Sequence, residues 1–218
     1  MTDARRTIIP VLALIMGAAL LPAHAVRFEI GAGYSVGKPI ANGSWRQQGN
    51  PYTMHTNGLT WYAGVSGHPW RYLTWHADYV NLGRYSENSW DTTDQAYGAG
   101  CRGPNCGWWG QFVGSGSDQG IRVTAGPRFG GRHWGVSLQA GPYFYLSTWS
   151  VTIYPSTGGQ FAATHMNRVQ VGDVVDVTAR YREFTLTLSR YLMRAPWDRY
   201  PPLIYGATTI TAGMSFGG

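Results

Sequence analysis

The sequence is short of charged residues and of residues that favour helices. Only 13% of its 218 residues are charged, and Lys38 is the single lysine. Lysine is a common helix former, so its scarcity argues against a helical fold. Outside the N-terminal region, no apolar run approaches the roughly 20 residues that a membrane helix requires. The composition therefore favours strands.

The one long apolar run lies near the N-terminus. Two arginines precede apolar residues 7–21, and Ala-His-Ala at 23–25 has the small-x-small pattern of a cleavage site. Together these parts are typical of a secretory signal peptide, which is too short to be a membrane anchor. We therefore expect residues 1–25 to be removed and residues 26–218 to form one exported domain.

Cysteine is nearly absent, which limits the metal sites and disulfides that the chain can form. Cys101 and Cys106 are the only two, in the segment CRGPNC. Their spacing does not match a zinc site, and no histidine pair lies nearby, so we expect no metal and no cofactor. Export leads to an oxidising compartment, so we predict that the two form a short disulfide loop.

Glycine and aromatic residues are abundant, with 30 glycines, 10 tryptophans and 14 tyrosines. Within residues 120–145, two segments of alternating character flank Gly130-Gly131, which predicts a hairpin. One face of each strand is bulky and apolar, and the other carries glycines, hydroxyls and arginines. A soluble sandwich would bury the bulky face against a second sheet, whereas a barrel in lipid points it outward. The hairpin favours the barrel without excluding the sandwich.

Alternation of this kind recurs along the chain and predicts eight strands. They lie near residues 26–36, 58–67, 72–82, 121–129, 134–145, 175–181, 184–189 and 209–216. Long and short connections alternate, as in up-and-down outer-membrane barrels, and a sheet in lipid must close. We predict an all-β fold: a closed antiparallel up-and-down eight-stranded transmembrane β-barrel with long extracellular loops. The ambiguity of the sixth strand leaves a ten-stranded barrel open.

Several local features follow from this interpretation. Residues 83–119 and 146–171 are expected to be the longest irregular connections, and Gly67-His68-Pro69 a short turn. Pro142 interrupts the fifth strand, and because proline cannot donate a backbone hydrogen bond, we expect a bulge there, near the outer rim.

The pattern resembles the eight-stranded outer-membrane barrels of the OmpA and OmpX type. The resemblance is carried by the signal peptide, by YVNLG at 79–83, which would close the third strand, and by TITAGMSF at 209–216. The last segment is similar to the aromatic-ended terminal strand of such barrels, although two glycines follow Phe216 here. The resemblance implies a monomer in the cell outer membrane, in contact with membrane lipid and lipopolysaccharide. The net charge of +6 suits acidic head groups better than nucleic acid in an exported chain.

Polar side chains on the inner faces are expected to fill the lumen, because eight strands leave little more than side-chain space. Buried charges need partners, so we expect a network of ion pairs and hydrogen bonds. Its predicted members are Arg27, Glu29, His76, Asp78, Arg122, Gln139, Asp176 and Arg180.

A catalytic hypothesis uses two of these residues. His76 and Asp78 lie two apart on one face, and a histidine oriented by a carboxylate can activate a nucleophile. Ser137 or Ser189 would be the third member, and the chain would be a lipid A-modifying hydrolase or acyltransferase.

Arg190 falls on the apolar face of the seventh strand. Either it contacts a lipopolysaccharide phosphate at the outer interface, or the strand bulges or ends there.

The function that the sequence favours is non-enzymatic. Its predicted outer loops are rich in polar and aromatic residues, which suits contact with a surface ligand. The alternatives are the lipid A-modifying enzyme and a narrow channel for small solutes.

Overall fold

The computed structural model describes residues 26–39, 52–92, 109–131, 133–155, 162–193 and 204–217. The predicted signal peptide, at residues 1–25, lies outside the described residues. So does the predicted disulfide between Cys101 and Cys106, and both therefore stay predictions.

The described residues form antiparallel strands joined into one sheet. The strands are β1 (Val26–Pro39), β2 (Tyr52–His55), β3 (Asn57–Trp70), β4 (Leu73–Thr92), β5 (Trp109–Gly130), β6 (Trp134–Pro155), β7 (Ala162–Tyr181), β8 (Phe184–Leu192) and β9 (Ile204–Phe216). In this part of the chain, no helix has the length and apolar character needed to cross a membrane.

The sheet closes on itself. Strand β1 pairs with β3 on one side and with β9 on the other, and β3 pairs with β4. From β5 to β9 each strand pairs with the next one in sequence, and β4 pairs with β5 to complete the ring. Eight strands make the barrel, and the short β2 adds to β4 outside the ring. The predicted closed, antiparallel, up-and-down barrel of eight strands is confirmed, and β2 is an addition that alternation did not predict.

The outer surface of the barrel is apolar. Large apolar side chains such as Leu59, Phe28 and Phe129 are 81%, 66% and 63% exposed. Among the described residues no second sheet covers them, so the sandwich alternative is wrong.

Four strands are much longer than expected. The predicted irregular connections at residues 83–119 and 146–171 are wrong, because β4 continues to Thr92, β5 begins at Trp109, β6 continues to Pro155 and β7 begins at Ala162. These extensions pair with one another in regular register.

A β-bulge explains why the extension of β4 was missed. The register with β5 shifts by one residue between Asn81 and Arg84, and Gly83 has a φ of 92°. The Gly83 N–H donates to Oδ1 of Asn81 at 2.8 Å. Below the bulge odd-numbered side chains such as Tyr79 face outward, whereas above it the odd-numbered Tyr85 is buried. The prediction that residues 79–83 close the strand is therefore wrong.

Two turn-related predictions are also corrected. Strand β3 continues through His68 to Trp70, and the turn lies at Arg71-Tyr72. Pro142 causes no bulge, because the register between β5 and β6 is the same on both sides of it. A missing donor removes one possible ladder bond without adding a residue to the strand.

Candidate functional site

Arg122 of β5 lies at the centre of the barrel and is almost fully buried. Its Nε donates to Oδ2 of Asp78 at 2.9 Å, and its Nη1 donates to Oδ1 of Asp176 at 3.2 Å. Asp78 is the direct partner of Arg122 on β4, whereas Asp176 lies on β7. One guanidinium therefore joins two carboxylates from different parts of the wall.

The same guanidinium also reaches β8. Its Nη1 donates to Oγ of Ser189 at 3.0 Å and approaches the hydroxyl of Tyr191 at 3.4 Å. The ring of Tyr62 lies 5.3 Å from the guanidinium carbon, within cation–π range. Arg122 thus links β3, β4, β7 and β8 to β5 and fills the middle of the lumen.

His76 pairs with a carboxylate other than the expected one. Its Nδ1 lies 3.4 Å from Oε2 of Glu29, and Oγ of Ser66 donates to Oε1 of Glu29 at 2.6 Å. The expected pair of His76 and Asp78 is not formed, since Asp78 is bound by Arg122. Side chains two apart on one strand face share a direction, but their partners come from neighbouring strands.

Neither serine of the catalytic hypothesis contacts His76. Ser137 accepts a hydrogen bond from Nε2 of Gln139 at 2.8 Å, and Ser189 accepts one from Arg122. In the part of the chain that the structure describes, no serine hydroxyl is hydrogen bonded to His76, so a nucleophile and a base are not brought together.

The remaining predicted interior residues lie away from the centre. Oε1 of Gln139 accepts from Oγ1 of Thr124 at 3.1 Å. Arg27 and Arg180 lie at the end of the barrel that carries the short turns, where they line open cavities with His68. Within the described ranges, no carboxylate forms an ion pair with either arginine.

A cluster of buried tyrosines above Arg122 was not predicted. The rings of Tyr143 and Tyr145 stack at 5.0 Å, and Tyr191 meets Tyr143 edge-on at 4.9 Å. The hydroxyl of Tyr85 donates to Oδ2 of Asp118 at 2.8 Å. The available signal was that Tyr143 and Tyr145 both fall on the otherwise small or polar face of their strand.

Arg190 lies on the outer surface of a regular strand. Strand β8 continues to Leu192 in unchanged register with β7, so the alternatives of a bulge or a strand end are wrong. Nη1 of Arg190 donates to Oγ1 of Thr208 at 2.6 Å. Leu188 and Leu192, two residues to either side, are about half exposed, so Arg190 faces the same surroundings as these apolar side chains.

The long strands form an extension of one side of the barrel. We call it the projecting sheet: β2 with residues 84–92, 109–118, 147–155 and 162–172. Its outward positions are mostly hydroxyls, amides and imidazoles, among them His55, Ser86, Asn88, Ser115, Ser117, Thr148, Ser150, His165 and Asn167. Nε2 of Gln111 donates to Oδ1 of Asn88 at 2.9 Å, and the hydroxyls of Ser117 and Thr148 lie 3.0 Å apart. Polar groups therefore predominate on the projecting sheet, although apolar side chains are also exposed there, at Val113, Tyr154, Val169 and Val171.

A closed sheet with an apolar exterior and a paired polar interior is the fold of the eight-stranded outer-membrane barrels. The resemblance to the OmpA and OmpX type is confirmed at the level of this architecture.

Comparison with known proteins adds little beyond the fold. No protein-family model matches the sequence, and no curated protein matches it. The chain is similar to the solved structure of Ail, the attachment invasion locus protein of Yersinia pestis, in complex with the heparin analogue sucrose octasulfate. Identity is 11% and the TM-score 0.46, over 88% of this chain and 99% of Ail. A second structure of Ail gives 11% and 0.42 over the same shares. The translocator domain of the autotransporter NalP from Neisseria meningitidis gives 8% and 0.40, over 98% of this chain and 96% of that domain. Likeness at this level carries no argument about function.

Proposed function

We propose that this chain is an outer-membrane surface protein whose barrel anchors the projecting sheet, and that this sheet contacts a ligand outside the cell. The observation that carries the proposal is strand length. Strands β4–β7 have 20, 22, 22 and 20 residues. A membrane strand needs only about 10, so roughly half of each strand extends beyond the bilayer.

The positions of the short turns support one orientation of the barrel in the membrane. Turns at Arg71-Tyr72, near Gly131 and at Arg182-Glu183 lie at one end of the barrel, and the projecting sheet lies at the other. In outer-membrane barrels the short turns face the periplasm, so the projecting sheet would stand outside the cell. At roughly 2.3 Å of height per tilted residue, ten residues raise it by roughly 23 Å.

The chemistry of the projecting sheet suits contact with a polar partner. Its outward face presents rows of hydrogen-bonding groups, such as the row of directly paired residues Ser86, Ser115, Ser150 and His165. Such a surface can bind through hydrogen bonds, and its position keeps it clear of membrane lipid.

The test is to shorten the projecting sheet without changing the register of the barrel. Residues 87–114 would be replaced by Asn-Gly between the paired residues Ser86 and Ser115, and residues 151–164 by Asn-Gly between the paired residues Ser150 and His165. Asn-Gly is the preferred two-residue hairpin turn. Cells that display the intact protein are expected to adhere to coated surfaces of protein and glycan, and cells that display the shortened protein to adhere no better than vector controls.

Two controls make this test specific. The shortened protein should still show heat-modifiable migration, which reports a folded barrel. The shortening also removes Cys101 and Cys106, so a full-length variant with both changed to serine is compared. Equal adhesion by shortened and intact protein, or none by the intact protein, would contradict the proposal.

A second part of the proposal concerns lipopolysaccharide. Arg190 of β8 and Lys38 of β1 both face outward near the end of the barrel that is opposite the short turns. They lie on either side of β9, where Arg190 is paired with Thr208 and Lys38 with Gly206. Arginine binds phosphate in a fork geometry, and its stem lies readily along apolar surface. Arg190→Gln is expected to lower the amount of lipopolysaccharide that copurifies with the barrel. Arg128→Gln, at the opposite end, is the matched control, and equal loss in both variants would argue against a specific contact.

A further inference from the structure

Arginines converge on the lumen at the short-turn end of the barrel. Arg27 of β1, Arg128 of β5 and Arg180 of β7 line a cavity of about 370 Å³ together with His68 and Arg71. The three strands lie in different parts of the ring, so the barrel itself brings these side chains together.

A second cavity of about 680 Å³ adjoins the first and shares Arg27 and Arg180 with it. It adds Arg182, His133 and Glu183. The two cavities are therefore lined by five arginines and by a single carboxylate among the described residues.

Among the residues that the structure describes, the inward arginines of this region have no acidic partner. Arg128 donates Nη2 to the carbonyl of Gly131 at 3.2 Å, and Arg180 donates Nε to the carbonyl of Arg182 at 2.7 Å. Among described residues, neither these two nor Arg27 has a carboxylate within ion-pair distance. Both Arg27 and Arg128 repel a charge on His68, and they repel each other.

The nearest carboxylate deeper in the lumen is already occupied. Glu29 lines the narrow space above this region, but Ser66 and His76 hold its two oxygens. Glu29 forms no ion pair with the arginines of this region, and the three inward arginines outnumber it, so positive potential remains at the mouth, where a concave wall of low dielectric constant concentrates it.

We propose that this region, the short-turn basin lined by Arg27, Arg128, Arg180 and His68, binds the phosphate groups of a small soluble polyanion. Guanidinium groups match phosphate oxygens in a planar two-bond geometry. The cavity volumes fall within the range of small-molecule sites. The arginines face the lumen and not the lipid, which favours a soluble phosphate over a lipid head group.

The experiment is calorimetric titration of inorganic pyrophosphate into the folded mature chain in zwitterionic detergent. Saturable binding is expected that weakens as salt is raised. The double variant Arg27→Gln, Arg128→Gln is expected to bind at least tenfold more weakly. Arg84→Gln removes an exposed arginine at the opposite end of the barrel; it is the matched control and should bind like the wild type.

A second readout guards against misfolding of the variant. Pyrophosphate should raise the melting temperature of the wild type and of Arg84→Gln, because a ligand that binds only the folded state stabilises it. It should leave that of the double variant unchanged. If the double variant does not migrate as a folded barrel, Arg128→Lys is used in its place. This variant keeps the positive charge but loses the planar guanidinium that can form two hydrogen bonds with one phosphate, so it is expected to bind several-fold more weakly.

Three results would overturn the proposal. They are the absence of saturable binding by the wild type, equal binding by wild type and basin variants, and an equal loss in Arg84→Gln. A lipid arm separates the two sources of phosphate: nanodiscs of phosphatidylglycerol and of phosphatidylcholine should give the same pyrophosphate affinity. Competition by phosphatidylglycerol would assign the basin to a lipid head group and contradict a soluble ligand.

Discussion

The arginine at the centre of the lumen and the arginines at its short-turn end have different surroundings. At the centre, Arg122 is 3% exposed and is held by two carboxylates, and tyrosines fill the space above it. At the short-turn end, Arg27 and Arg128 line open cavities without an acidic partner among the described residues.

The difference follows from access to water. A charge enclosed by protein loses its hydration and needs partners from the chain, whereas a charge at an open mouth stays hydrated. The enclosed half of the lumen is therefore expected to stabilise the barrel, and the open half to be available for binding.

The largest expected effect is at the centre. Arg122→Ala leaves Asp78 and Asp176 buried without a cation, and breaking a buried pair in this way costs about 3–5 kcal/mol. Arg128→Ala, in the open half, should cost less than about 1 kcal/mol. Urea unfolding in detergent measures both, and losses of equal size would remove the distinction between the two halves.

A smaller loss is expected where an inward glycine makes room for an aromatic ring. A side chain at Gly31 would collide with the ring of Tyr62, so Gly31→Val should destabilise the barrel by about 1–3 kcal/mol. At Gly131 the nearest atoms, on Trp134, are 3.6 Å from the added carbon, and Gly131→Ala serves as the control. Comparable stability of the two variants would show that Tyr62 can move aside.

The pair of Glu29 and His76 should contribute less than Arg122. Glu29→Gln keeps the shape but removes the charge that faces His76, and about 1–2 kcal/mol should be lost. The exposed Glu183, changed to Gln, should have almost no effect. The same unfolding assay measures this, and a null result for Glu29→Gln would mean that the contacts of Glu29 with His76 and Ser66 do not need a charged acceptor.

The smallest expected signal is electrical. Since Arg122 and the tyrosines fill the lumen, the intact protein should give no conductance steps in planar bilayers. Regular steps would restore the channel alternative. Steps of unchanged size after Tyr143→Ala would show that current does not pass the tyrosine cluster.

Much of the fold was predictable because alternation is a local property. Side chains two apart along a strand share a face, so Phe129 and Leu138 could be assigned to the outer surface from their immediate neighbours. The same reasoning failed at Gly83, where one extra residue exchanges the two faces and makes a continuing strand look irregular.

The candidate site was harder to predict than the fold. Alternation shows that Asp78 and His76 face the same way, but it does not give register. Register decides that Arg122 lies opposite Asp78, and also that Glu29 of β1 reaches His76 of β4 across β3. Nor does alternation reveal that Arg27, Arg128 and Arg180 meet at one mouth.

The sequence by itself determined an all-β barrel with an apolar exterior, because composition and two-residue periodicity carry that information along the chain. Only the tertiary structure decided which charges pair, how far β4–β7 project and where the arginines of the short-turn basin gather. Those properties depend on contacts between strands that are distant in sequence, and they appear only once the sheet has closed.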